Sequence, residues 1–273
     1  MCGRYAASQD PDGLVEEFEV DTDETGAQVA PSWNVAPTDS APVVLERRPR
    51  ADSEPAEPTE PAEPRRQLRL LTWGLVPSWA KDRSVGARMI NARVETLLTK
   101  PAYRRAATAR RCLVPADGWF EWQPSPVATD GKGKPRKQPF FIARRDGAST
   151  ALAGIYEFWR PRDADPDDPG AWLTTYAVLT RPAERGLDRI HDRMPVVLDP
   201  DTWARWLDPT VAQPAAVEAL LEPPPPGRFV ALPVSPAVGS VRNNGPELVV
   251  PLPLDDLAGV VDPVTGEVVG TAS

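Results

Sequence analysis

Apolar and polar positions along this chain change over in short runs, broken repeatedly by Pro, Gly, Asp and Asn. Leu14-Val15-Glu16-Glu17-Phe18 carries its apolar residues at helical spacing and predicts a short amphipathic helix. Strands are predicted at Pro42–Glu46, Leu68–Leu75, Cys112–Pro115, Gly118–Trp122, Pro139–Arg144, Leu152–Phe158, Trp172–Thr180, Val196–Leu198 and Phe229–Val234. Helical character is expected from Asn91 through Arg111, at Ala183–Ile190 and at Pro200–Leu207. Residues 124–138 predict a loop, and 255–273 a flexible, frayed tail. Two polar stretches, 47–67 with its repeated Glu-Pro pairs and 160–170, predict insertions, each between the two strands of a hairpin. The pattern implies one β-rich α+β domain over residues 2–254, a curved, barrel-like sheet flanked by short helices, with no internal repeat.

Composition narrows the chemistry. The 34 prolines in 273 residues stand well above the usual share of about 5%, and much of that proline sits in a few segments. Two cysteines and one histidine, with no C-x-x-C pair, are too few for an ordinary structural zinc site, so neither a metal nor another cofactor is expected. No apolar stretch reads as a signal peptide or a membrane span, and the expectation is a cytosolic protein with no membrane partner, acting as a monomer.

The formal net charge of −8 argues at first against nucleic acid. Residues 81–145, however, hold 15 Lys and Arg against 5 Asp and Glu, a local balance of +10 that leaves −18 for the remainder. A basic surface on an acidic body fits a phosphate-bearing partner, and equally a solvated basic face with none.

The candidate chemistry begins at Met1-Cys2-Gly3-Arg4-Tyr5. Removal of Met1 would leave Cys2 as a 1,2-aminothiol, whose amine condenses with an aldehyde and whose thiol then closes a thiazolidine ring. Both groups are usable near neutral pH, the amine titrating at about 7.7–8.0 and the thiol at about 8.5. His191, the single histidine, suits either general acid/base work or a structural place. Glu121, between Phe120 and Trp122, has a raised pKa if it faces inward and is only the polar half of an alternation if it faces out. Asn34, Asn91 and Arg93 can orient a carbonyl or phosphate oxygen, or cap a helix or close a turn. Trp79, after Pro77, offers a base-stacking face or packs in the core. Cys112 reads as a buried structural residue.

Six segments recur together: Met1–Tyr5, Trp33–Pro37, Trp73–Trp79, Asn91–Thr96, Arg111–Pro115 running into Gly118–Trp122, and His191–Pro195. In this order they resemble the SOS response-associated peptidase family, which includes abasic-site processing proteins that crosslink to single-stranded DNA. Residues 238–248 resemble the family's C-terminal motif, and the likeness spans residues 2 to about 251. The resemblance implies that Cys2 attacks the ring-opened abasic aldehyde, Asn91 holds aminothiol and sugar, Glu121 shuttles protons and His191 works on the sugar hydroxyl. It further implies that Arg4, Asn34, Trp79, Arg93 and the basic segment meet single-stranded DNA containing abasic sites. The insertions add length without removing a motif. A cysteine peptidase or N-terminal-nucleophile hydrolase using Cys2 is the competing reading, a non-covalent single-strand binder a third, and a strand-cleaving lyase activity is left open.

Overall fold

The structure, a computed structural model, describes residues 2–26, 29–47, 63–165, 167–253, 256–257 and 259–270. Met1 and residues 48–62, the heart of the first insertion, lie outside the described residues, as do Pro166 in the second and part of the C-terminal stretch.

Five strands close on themselves. Ser40–Arg47 pairs with Arg65–Trp73 in an antiparallel hairpin whose register runs from Ser40 opposite Thr72 to Arg47 opposite Arg65, as the pattern predicts for the strands flanking the first insertion. Ser40–Arg47 also pairs with Arg111–Ala116, which pairs with Thr150–Trp159, which pairs with Leu173–Pro182. A parallel contact from Thr175 and Tyr176 to Thr72 and Trp73 completes the ring. A second sheet of five strands lies in the order Phe229–Pro233, Pro135–Arg144, Gly118–Thr129, Tyr5–Ala7, Ser32–Val35.

Arg111–Ala116 and Thr150–Trp159 are buried on both faces almost throughout, which is why their sequences read as nearly continuous apolar runs, whereas Arg65–Trp73 keeps a polar, part-exposed face. Val43, Leu45, Trp73, Val114 and Tyr176 join Cys2, Tyr5, Trp119 and Ile142 of the second sheet in one core. Val44, Leu113, Ala153 and Leu179, pointing the other way, pack with Phe18, Ala106, Trp203 and Trp206 of the helical layer. That layer consists of Pro11–Glu17, Arg104–Ala109, Pro200–Leu207 and Pro214–Ala219. Asp10 caps the first of these by accepting from the Gly13 N–H at 2.9 Å.

Four expectations are corrected. Asn91–Arg93 is a short strand running parallel to Val178–Thr180, followed by a 3-10 turn at Val94–Thr96; helix resumes only at Arg104. Residues 124–138 are no loop, because Gly118–Thr129 and Pro135–Arg144 extend the hairpin to a tight turn where Asp130 Oδ1 accepts from the Lys132 and Lys134 N–H groups. Ala183–Ile190 holds only the 3-10 turn Leu187–Arg189. Residues 257–270, expected to fray, place Leu257 and Val260 in the core and form a hairpin of Val260–Val261 with Val268–Val269. The Gln123 side chain fixes this hairpin, donating to Val261 O at 3.0 Å and accepting from Val261 N at 2.7 Å. Two of these differences, the strand at Asn91–Arg93 and the C-terminal hairpin, follow from partners far along the chain, which local periodicity cannot register.

The turn bearing Trp79 depends on two glycines. Gly74 ends its strand at φ 127° with its N–H donating to Tyr176 O at 2.8 Å. A Cβ on Gly74 would stand 2.6 Å from Gly86 O, and one on Gly86 2.5 Å from Gly74 O, so only glycines let the turn close onto the 3-10 helix Arg83–Arg88. Gly74→Ala should therefore lower stability by about 2 kcal/mol, seen as a lower urea midpoint with unchanged slope. An unmoved midpoint would show that the turn relaxes freely.

Candidate functional site

The site is assembled where the two sheets meet. Tyr5–Ala7 is inserted between two strands, with Tyr5 opposite Trp119 on one side and Val35 on the other. This pairing carries the start of the chain inward, and Cys2 is fully buried, its thiol 3.9 Å from the Arg4 carbonyl. Asn91 meets it from the ring side. Its Nδ2 donates to Cys2 O at 2.7 Å, while Tyr103 OH donates to the Asn91 carbonyl at 3.3 Å. Asn91 Oδ1 is buried with no hydrogen-bond partner among the described residues.

Glu121 faces inward. Trp119, Glu121, Gln123 and Ser125 share one buried face of their strand, and Phe120 packs the opposite way with Ala6, Phe141 and Val238. The alternation of aromatic and polar residues is thus real but does not divide core from water, since both faces are covered. Burial is the largest cause that pushes the Glu121 carboxyl up to about 7; Asp192 adds to it, and the positive chain terminus opposes it. Burial and then the Glu121 charge push the Cys2 thiol far above its ordinary range.

His191 follows the turn Leu187–Arg189 with its side chain 30% exposed. The Arg193 N–H donates to Nδ1 at 3.0 Å, which leaves the proton of the neutral ring on Nε2. Asp192 Oδ1 lies 2.9 Å from the same Nδ1 and takes over as partner when the ring is protonated. Burial, then the positive chain terminus, hold the imidazole below its ordinary pKa, so it is neutral at pH 7. The Glu121 charge acts on Cys2, and Asp192, next to His191, acts on Glu121, which links these groups electrostatically.

The other sequence candidates divide in two. Trp79 is 59% exposed and Arg93 is exposed, two residues along the strand from Asn91. Arg4 and Asn34 are instead tied into the protein. Arg4 Nη1 donates to Asn34 Oδ1 at 2.7 Å and to Val238 O at 2.8 Å, and Asn34 Nδ2 donates to Ser240 O at 3.0 Å and Asn243 O at 2.9 Å. Together they clamp the loop 238–243, and burial lowers the Arg4 pKa.

Arg193 was missed as a site residue. Its guanidinium grips Glu95 through two bonds, of 2.5 and 3.0 Å, and donates to Thr180 O at 2.7 Å. This fork joins the segment of Asn91 to the segment of His191 and holds the Glu95 carboxyl below its ordinary range. The available signal was the presence of opposite charges in two of the six quoted segments.

The family model described as SOS response associated peptidase (SRAP) matches residues 1–241. The chain belongs to this family. It is 33% identical over 249 residues to the abasic site processing protein YoqW of Bacillus subtilis, covering 91% of this chain and 99% of that one. It is 32% identical over 257 residues to the abasic site processing protein YedK of Escherichia coli, covering 92% of this chain and all of the relative. With the abasic site processing protein HMCES of Gallus gallus it shares 34% identity over 250 residues, 82% of this chain and 67% of the relative. Among solved structures, a Bacteroides thetaiotaomicron protein superposes with a TM-score of 0.71 at 21% identity, covering 92% of this chain and all of that one. The β-rich, barrel-like α+β architecture is accordingly the fold of this SRAP chain.

The buried carboxyl of this SRAP protein gives a pH signature. In the fold Glu121 keeps its proton to about pH 7 and in the unfolded chain only to about 4.5, so its stabilising contribution is complete below 4.5 and is lost as pH rises to 7. Between about pH 5 and about pH 8 the wild type should lose about 2 kcal/mol more urea-unfolding stability than Glu121→Gln. Parallel pH profiles would mean the carboxyl titrates normally.

Proposed function

We propose that this protein recognises abasic sites in single-stranded DNA and captures them as a covalent thiazolidine through Cys2, exposed by removal of Met1, shielding the lesion during the response to DNA damage. The observation that carries the reading is the convergence of Cys2 with Asn91, Glu121 and His191 at the junction of the two sheets, in a chain whose relatives are abasic site processing proteins.

The chemistry follows from these environments. The ring-opened abasic sugar presents an aldehyde, and the neutral α-amine of Cys2 adds to its carbon. The carbinolamine hydroxyl leaves as water with a proton from Glu121, whose pKa of about 7 lets it hold and release protons near neutrality. The thiol then adds to the imine carbon, its proton passing to nitrogen, and the ring closes with one water lost overall. Asn91 Oδ1 accepts from the amine and orients it. His191, with its proton on Nε2, works on the sugar oxygen that is released as the ring opens. Arg93, exposed beside the site, takes a backbone phosphate, and the face of Trp79 receives a base. Arg4 and Asn34 contribute by holding the loop 238–243 beside the strand.

A peptidase using a thiolate at Cys2 fits less well. Activated thiols sit beside cations, and here the neighbouring carboxylate opposes ionisation. In the aminothiol route the amine attacks first and the thiol needs no prior ionisation.

Cys2→Ser should remove the heat-stable band formed with an abasic oligonucleotide in denaturing electrophoresis while salt-sensitive binding persists. An adduct surviving that change ends the proposal. Arg93→Ala should weaken binding evenly across sequences and reduce the slope of log K against log salt by about 0.7, as for one lost single-strand phosphate contact. An unchanged slope would remove Arg93 from the interface.

A further inference from the structure

Between the end of the strand Leu173–Pro182 and the strand Phe229–Pro233 lies a cavity of about 210 Å³ for which the abasic-site chemistry has no use. Its wall includes Arg181, Glu184, Pro195, Pro224, Arg228 and Phe229. Arg181 is only 8% exposed. Its Nη2 donates to Leu221 O at 2.7 Å, while Nε and Nη1 are buried with no hydrogen-bond partner among the described residues. Arg228 repeats the pattern: Nη1 pairs with Asp199, and Nε and Nη2 are buried and unpartnered. Two arginines of the cavity wall therefore carry, between them, four buried nitrogens with no hydrogen-bond partner among the described residues.

Such donors are costly to leave unmade, at roughly 1–3 kcal/mol for each buried group, and folds leave few of them. The carboxylates nearby do not answer the need. Asp199 is shared between Arg228 and Arg144, the latter at 3.2 Å, and Glu184 Oε1 accepts from the Gly227 N–H at 3.0 Å. After burial, the Arg228 charge is the next cause that lowers the Arg181 pKa, as expected of two cations that lack an anion between them.

We propose that this cavity binds a phosphate group, held by Arg181 and Arg228. Guanidinium forks match phosphate oxygens two at a time, and a tetrahedral anion can accept from both arginines where a planar carboxylate offers only two oxygens. Pro195, Pro224 and Phe229 supply an apolar wall for the substituent of a phosphate ester. The phosphate can come from a free phosphomonoester or from the backbone of a nucleic-acid strand. The site is independent of Cys2 and of the aldehyde chemistry, and its test needs no abasic DNA.

The experiment is thermal unfolding of the full chain, in phosphate-free buffer and in titrations of orthophosphate, a nucleoside monophosphate and an undamaged single-stranded oligonucleotide, for wild type, Arg181→Met and Arg228→Met. Wild type should show a saturable rise in Tm with orthophosphate, since a ligand of the folded state stabilises by mass action, and each variant should need about tenfold more for the same rise. Without phosphate, Arg181→Met should melt no lower than wild type, because it removes two unpaired buried donors and keeps the packing. A nucleoside monophosphate acting at lower concentration than orthophosphate assigns the site to a free ester. Stabilisation by the oligonucleotide that Arg181→Met abolishes assigns it to a strand. No saturable shift with any of the three, or equal shifts in wild type and Arg181→Met, overturns the proposal.

Discussion

One hydrogen bond joins the two halves of this structure at their most consequential point. The Asn91 side chain, on a short strand paired to the ring, donates at 2.7 Å to the carbonyl of Cys2, whose segment belongs to the second sheet. Cys2 is fully buried and Asn91 half-buried, and the contact ties residue 2 to the ring side of the junction. A chain terminus ordinarily frays. Here the strand Tyr5–Ala7 is paired on both edges, Tyr5 packs edge-on against Trp73 at 5.1 Å, and its hydroxyl meets that of Tyr176 at 2.5 Å. Two sheets thus share the task of immobilising residue 2.

That rigidity creates an electrostatic conflict. Glu121 is placed on a buried face, where its ionised form is disfavoured, yet close enough for its charge to raise the Cys2 thiol further. A carboxyl with a pKa near 7 is poor at stabilising a fold at neutral pH and well suited to passing protons. His191 is pushed in the other direction, toward a neutral ring with a defined tautomer. Burial, the largest cause in both, favours the uncharged form of each group, which means a raised pKa for the carboxyl and a lowered one for the imidazole. Around them, Arg193 and Glu95 form a charged fork that ties two segments together without entering the reaction.

The arginines divide by surroundings rather than by type. Arg4 is consumed by Asn34 and the carbonyl of Val238, Arg111 donates to Trp206 O and Ala107 O from a buried position, and Arg193 holds Glu95. Arg93 is exposed, and Arg181 and Arg228 keep buried nitrogens unpartnered. A count of basic residues over 81–145 registers none of these differences, because each depends on which carbonyl or carboxylate the fold brings near.

From the sequence alone, the strands flanking the first insertion, the apolar runs of the ring and the order of the six segments are legible, since each rests on neighbours within a few residues. Cys2, Asn91, Glu121 and His191 stand out there as residue types with chemistry, and the fold sets Asn91 and Glu121 beside Cys2. The direction Glu121 faces was not legible, because an alternating strand looks the same whether its polar side meets water or a second sheet. Nor were the extended state of Asn91–Arg93, set by pairing with Val178–Thr180, the clamp of Arg4 and Asn34 on residues 238–243, or the bonding of Val261 to Gln123. The last three are contacts between residues more than eighty positions apart, and only the closed chain decides them.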